Sequence, residues 1–331
     1  MKNKKNVIII IISLFLLLIA FIMSISIGAV KFSFREIIYY IFHDTEDGKR
    51  AIIYNVRLPR VLLSMLVGIT LSLAGVILQG VMRNSMASAS TIGVTAGANF
   101  FGYLFLAAMP MYSSSLHMFT FIGGLGTTLL IYFLAYKHGS SPIKIILAGM
   151  GINALFNAFS DLIKIFFSDN LAGVQSFLVG GLSGVTWDSL YMVLPYAVIG
   201  LVLIIFIPTK MNILALGDET AQGLGLNTNR FRLFLIVLAS LLASSTISAV
   251  GLIGFIGIIV PHISRILVGN NHKVLFPMAI ILGALIVSVC DTIGRIIILP
   301  AELPVSIIMA IIGAPIFLLL LRSKGEVNDV S

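Results

Sequence analysis

Ten apolar runs dominate this chain, at roughly 7–30, 61–82, 91–110, 116–136, 143–167, 189–208, 231–250, 255–269, 274–298 and 304–322. About 20 apolar residues wound as a helix cross the hydrocarbon of a bilayer. Hydrocarbon offers no partner to a backbone N–H or C=O, so a spanning segment must satisfy its own, as a helix does. Composition agrees: 59% of the 331 residues are hydrophobic and 10% charged, whereas a soluble domain is about a quarter charged. The sequence predicts an all-α membrane protein of about ten transmembrane helices, with residues 1–331 as a single transmembrane domain. Between its last spans stand Gly- and Pro-rich polar segments, and irregular backbone survives at membrane depth only inside protein or along a watery path.

Orientation follows from charge. The run Val7–Val30 is longer than a signal-peptide core and lacks a small-x-small cleavage site, so it reads as a retained helix with Lys2, Lys4 and Lys5 inside the cell. Ten crossings then return the C-terminus to the cytoplasm. That topology places 13 of the 21 basic residues inside, the bias expected of cytoplasmic loops. The net charge of +8 is therefore a topology signal and not a nucleic-acid footprint. The lone Cys290 lies in an apolar run, which excludes disulfides and Cys-based metal sites. The eighth run is short and interrupted by Pro261, which makes it the weakest crossing. Two connections are long: 31–60, outside and partly helical, and 208–230, inside. Four runs lie between the first and the sixth and four follow the sixth, a layout that hints at an inverted repeat.

Polar residues inside the runs are the candidate functional positions. Asn153, Asn157, Asp161 and Lys164 fall on one face of the fifth helix. Such a face must meet protein or water, either as a pathway wall or as an interhelical hydrogen-bonding seam. Gly149 and Gly151 in the same helix permit close approach of a neighbour. Ser64, Gly68, Ser72 and Gly75 in the second run, and Ser240, Ser244 and Ser248 in the seventh, read as packing seams. Gln79, near a span end, is placed to reach a path. Asp291 and Arg295 have the favourable acid-before-base spacing of a helical pair. With Arg57 and Arg60 around Pro59, Arg295 makes a set of three cations at the outer surface suited to an acidic partner.

The inner connection carries Pro208, then Leu214, Leu216, Gly217, Asp218, Glu219, Ala221, Gly223, Leu224 and Gly225. The acids stand where a helix would start, Gly223 and Gly225 allow a sharp turn after it, and Asn227 or Thr228 can cap the next helix. Two short helices joined by a glycine bend result, too apolar for a solvated linker and suited to a groove on another protein. Catalytic chemistry is not visible: there is no phosphate loop, no His-Glu-x-x-His, and the five histidines are scattered. If ATP drives transport here, another chain must bind it.

Taken together, RLPRVLLSMLVGITLSLAGVILQGVMRN (57–84), IGVTAGA (92–98), LALGDETAQGLGLN, GLIGFIGIIVPHISRILVGNNHKVLFP, DTIGR and ELPVSIIMAIIGAPIFLLLL resemble one family across residues 55–322. It is the FecCD-like permease family of ABC importers, the iron-siderophore, haem and cobalamin class. The resemblance implies a cobalamin-importer-type fold, a second permease subunit alongside, two ATPase subunits inside that bind ATP and Mg, and an external substrate-binding protein. It implies that 214–228 inserts into the ATPase and that Arg57, Arg60 and Arg295 face glutamates of the binding protein. It implies no cofactor, metal or catalytic site in this chain. The cargo expected is an iron-siderophore crossing a bacterial cytoplasmic membrane, with haem or cobalamin the next reading. A proton-driven carrier, with only Asp161 and Asp291 to relay protons, is a distant rival. Asn84–Ala89, with Asn84 and Met86 the best matches, resembles the family's inner gate, and Ser140 and Ser141 a second gate region. The gate departs from the family's Asn-Pro-Leu-Ala-(Asp/Glu)-Pro: Ser85, Ser88 and Ala89 stand where the prolines and the acid would be, which predicts a looser, uncharged loop.

Overall fold

The computed structural model describes residues 2–45, 47–136, 142–168 and 179–328. Ten apolar helices correspond to the ten runs. In chain order the helices are α1 (Lys2–Ser26), α2 (Phe34–Phe42), α3 (Leu58–Met82), α4 (Val94–Ala108), α5 (Leu116–Ala135), α6 (Pro142–Phe166), α7 (Trp187–Phe206), α8 (Pro208–Leu214), α9 (Asp218–Gly223), α10 (Thr228–Val250), α11 (Ile256–Val268), α12 (His272–Ile296) and α13 (Val305–Asn328). Seven are long and apolar enough to cross a bilayer, and α4, α11 and the Val305–Leu319 part of α13 are shorter apolar helices. Among the described residues there is no β-strand, only a single bridge between Ile298 and Ala301.

Two expectations change. The second span begins earlier than predicted. Helical backbone starts at Gly48 and passes through a π-helical stretch, Ala51–Arg57, into α3, giving a 35-residue rod. Pro261 does not interrupt α11, which continues through it to Val268. What shortens α11 is its lead-in: Gly251 and Phe255 both take left-handed φ, and 251–254 is not helical. Thirteen helical residues span about 20 Å, less than the roughly 30 Å of hydrocarbon.

The core is built on α3 and α10, the two most enclosed spans. Small residues allow this. A Cβ added at Gly68 would lie 2.0 Å from the Gly283 carbonyl oxygen, and one at Gly75 would lie 2.1 Å from that of Gly257. The α3 backbone therefore touches α12 and α11 directly, as expected of small-residue seams. Gly149 sits against Thr91 in the same way, whereas Gly151 has open space around it. Helix starts are fixed by side chains: Asn227 Oδ1 accepts from Arg230 N at 3.1 Å, and Asn271 Oδ1 from Lys273 N at 3.1 Å. On the loop predicted to lie outside, Ser33 and Glu36 form a reciprocal capping box for α2. The Ser33 backbone N–H, then Lys49, hold the exposed Glu36 carboxyl down to about 2.

Candidate functional site

At the end predicted to be cytoplasmic, Pro208 opens α8 at its first turn and Gly217, with φ +117°, turns the chain into α9. The bend joining the two short helices is thus at Gly217. The Gly223–Gly225 turn leads instead into the long α10. There Gly225, at φ +83°, donates to Gln222 O at 2.9 Å and Leu226 to Ala221 O at 3.0 Å, the double closure that ends a helix on a left-handed glycine. Leu214 and Ala221 are buried and anchor the element, while Leu216 and Leu224 are 62% and 60% exposed. Asp218 is clamped from two sides. Arg232 Nη2 donates to its Oδ1 at 3.0 Å, and Arg83 pairs with the same oxygen. Arg83 also donates to Leu214 O at 3.2 Å. Glu219 is exposed, and Gly223 has open space around it. Arg83, at the end of α3, and Arg232, on the adjoining α10, thus hold an element that leaves Leu216 and Leu224 exposed.

The adjoining loop after α3 lacks prolines, yet its turns are closed by side chains. Asn84 Oδ1 accepts from Met86 N at 2.9 Å, and Thr91 Oγ1 accepts from Ser88 N at 3.1 Å. Met86 is exposed and Ala87 is buried. Ser140 and Ser141 lie outside the described residues. Gln79, expected near a path, is instead buried between α3 and α11. Its Nε2 donates to Gly257 O at 3.2 Å, and its Oε1 accepts from Arg265. Arg265, the arginine of Pro-His-x-x-Arg, was not singled out from the sequence. Its signal was a cation within an apolar run.

Helix α6 is the least covered of the long spans, with only Ile145, Gly149 and Ser160 buried. Asn153 Nδ2 donates to Ser90 O at 2.8 Å, tying α6 to the loop after α3. Further along the same helix Asn157 is exposed, and Asp161 pairs with Lys164 at 3.0 Å, also exposed. Within this chain, Asn157 and the Asp161–Lys164 pair thus stand on an exposed face of a membrane-length helix.

The opposite end holds a network of charges. The exposure expected of Arg57, Arg60 and Arg295 is not found: they are only 6%, 6% and 5% exposed. The reason is a set of buried acceptors. Arg57 donates to Ile25 O at 2.6 Å and also to Val30 O, closing the end of α1. Arg60 grips Asp291 through Nε, at 3.1 Å to each carboxylate oxygen, and Nη2, at 2.9 Å, and reaches Glu302 with Nη1 at 2.7 Å. Arg295 pairs with Asp291 at 3.3 Å, as its spacing predicted, and donates to Ser24 O at 2.7 Å. Glu302 also accepts from Ser183 Oγ at 3.1 Å. Partial burial raises the Glu302 carboxyl, but the hydrogen bond and charge of Arg60 outweigh this and leave it below its ordinary value. Among the described residues no group of three or more His, Cys, Asp or Glu could hold a metal ion.

The described residues thus form a helical bundle with charged and polar groups gathered at its two ends. The FecCD transport family model matches residues 16–323. The chain is 32% identical over 333 residues to the iron(3+)-hydroxamate import system permease protein FhuG of Bacillus subtilis, covering 98% of this chain and 99% of FhuG. It is 34% identical over 320 residues to the haem-iron transport system permease protein IsdF of Staphylococcus aureus, with 97% of each chain covered. A solved metal-chelate type ABC transporter in an inward-facing conformation superposes with a TM-score of 0.85 at 31% identity, covering 95% of this chain and 99% of the other. The chain belongs to the FecCD transport family and is a multi-pass membrane permease subunit of an ABC transporter.

Proposed function

We propose that this permease carries an iron chelate inward across a bacterial cytoplasmic membrane as half of a permease pair. Its termini lie in the cytoplasm. Partner ATPases supply ATP hydrolysis, with ATP and Mg held in those chains, and an external binding protein delivers the cargo. The observation that carries this reading is the α8–α9 element. Leu216 and Leu224 project outward from a scaffold held by Arg83 and Arg232. Exposed leucines on a clamped element fit a groove on a partner, because their burial there is favourable and little ordering is lost.

The bare polar face of α6 supports the pair. Set against a second permease subunit, Asn157 and Asp161 would line a shared path in place of facing lipid. Asn84 and Met86 stand at its inner mouth. Outside, the external binding protein would dock on a platform braced by Arg57, Arg60 and Arg295, whose exposed group is the Glu302 carboxylate and so suits a basic or hydrogen-bond-donating contact. ATP-driven movement of α8–α9 would tilt the spans between outward- and inward-open states. Asp291 is committed to two arginines, which argues against a proton relay.

The cargo class rests on relatives named for iron-hydroxamate and haem-iron transport. The iron-siderophore reading is preferred, with haem or cobalamin second. The experiment is uptake of radio-iron supplied as ferric hydroxamate, ferric citrate or haem by proteoliposomes holding the full complex. Leu224→Asp is expected to release the ATPases on purification and reduce uptake by about tenfold or more. Normal uptake with normal assembly would overturn the docking role.

A further inference from the structure

Helix α8 is hydrogen-bonded to the start of α12 through one side chain. Asn212 Oδ1 accepts from the His272 backbone N at 3.0 Å and from His272 Nδ1 at 2.7 Å. Its Nδ2 donates to Asn271 Oδ1 at 2.9 Å. Asn271 is the residue that caps α12. The backbone N–H can only donate, so it fixes the amide orientation, and the oxygen in turn fixes the ring proton on Nδ1. His272 is 5% exposed, enclosed beside Phe276. Three hydrogen bonds therefore converge on the first residues of a 25-residue helix, about 37 Å long. The far part of that helix carries Asp291 and Arg295, partners of Arg60 and Ser24. Between these ends, Gly283 lies backbone to backbone on Gly68 of α3. A displacement of α8 thus has a stiff, continuous route to the charged network at the opposite face.

We propose that Asn212 is a positioning residue that transmits motion of the α8–α9 element to α12, so that its loss separates ATP hydrolysis from transport. The inference rests on the reading of α8–α9 as the ATPase dock. Its test uses the complete complex in proteoliposomes, with ATP hydrolysis and radio-iron uptake measured together. The cargo is whichever of ferric hydroxamate, ferric citrate or haem the unaltered complex takes up. Asn212→Leu keeps the volume and removes all three bonds. It is expected to retain its ATPases and hydrolyse ATP within about twofold, while uptake per ATP falls at least about fivefold. Asn212→Asp keeps the oxygen acceptors for His272 and is expected to restore the ratio to within about twofold of normal.

Should Asn212→Leu fail to fold, His272→Phe decides. It fills the ring space beside Phe276 and deletes only the Nδ1 bond, and a loss of at least about twofold in uptake per ATP is expected. An unchanged ratio in the variant that folds overturns the proposal, as does a proportionate fall of hydrolysis and uptake in both. Leu224→Asp is run alongside. If it keeps its ATPases, the docking reading itself has failed. If it loses them while the Asn212 and His272 variants keep a normal ratio, only the transmission role has.

Discussion

The two ends of the bundle treat their conspicuous residues in opposite ways. At the end we propose to be the outer one, the cations suited by charge to a partner are turned inward: Arg57, Arg60 and Arg295 are engaged by carbonyls, Asp291 and Glu302. At the inner end the arginines again point inward, onto Asp218, and leucines are left facing outward. In water an exposed leucine is common and a buried arginine is costly. The outer end is therefore a structural joint with one exposed acid, Glu302, and the inner end carries the exposed leucines proposed to dock. Variants should separate the two: outer ones should cost stability, inner ones assembly.

The largest effect is expected at Asp291. Asp291→Ala leaves Arg60 without its main partner and Arg295 without its carboxylate, both buried, and should cost about 3–5 kcal/mol. The readout is thermal unfolding in detergent by intrinsic fluorescence, and a shift no larger than that of a surface control would break the contrast. Next comes Gly68→Leu, whose side chain would start 2.0 Å from a backbone oxygen that cannot turn aside. At least about 1–3 kcal/mol of overpacking cost is expected, read from the same unfolding curve.

Glu302 should show a pH signature. Its folded pKa is lowered, so its contribution is complete above the ordinary 4.5 and is lost as pH falls below that through the folded value. Acidification should lower the melting temperature of the unaltered protein more than that of Glu302→Gln. Equal slopes would remove the carboxylate from the joint. The smallest stability change is expected for Leu216→Ser and Leu224→Asp, within about 0.5 kcal/mol. A large destabilisation there would mean that these leucines support the fold and are not docking tips.

The ten apolar helices were legible because long apolar runs favour one local structure, and most of their edges fell within a few residues of the runs, although only seven of them are of membrane length. The helical rod before α3 was not, since Lys49, Arg50 and Arg57 break the apolar run although the backbone continues through them. The inner element was legible from local chemistry in part: Pro208, Gly225 and Asn227 each act on immediate neighbours, whereas the bend between the two short helices falls at Gly217 and not at the Gly223–Gly225 turn. The outer arginines were misjudged as exposed because Asp291 is 231 residues from Arg60 and Glu302 is 242 away. Charge and helix position were readable there, but the distant acceptor was not. The small seam of α3 was visible as a pattern, while its partners, Gly257 and Gly283, emerged only in three dimensions.

Gly68 and Gly283 have a consequence for how such a chain can change over time. Their helices meet without intervening side chains, so the meeting point is a fixed register mark on both. Inserting a single residue in α12 before Gly283 would swing that mark by about 100° and bring a bulkier neighbour against bare backbone. Length along this pair can therefore drift only in the terminal turns, and variation between relatives should collect there and in the loops.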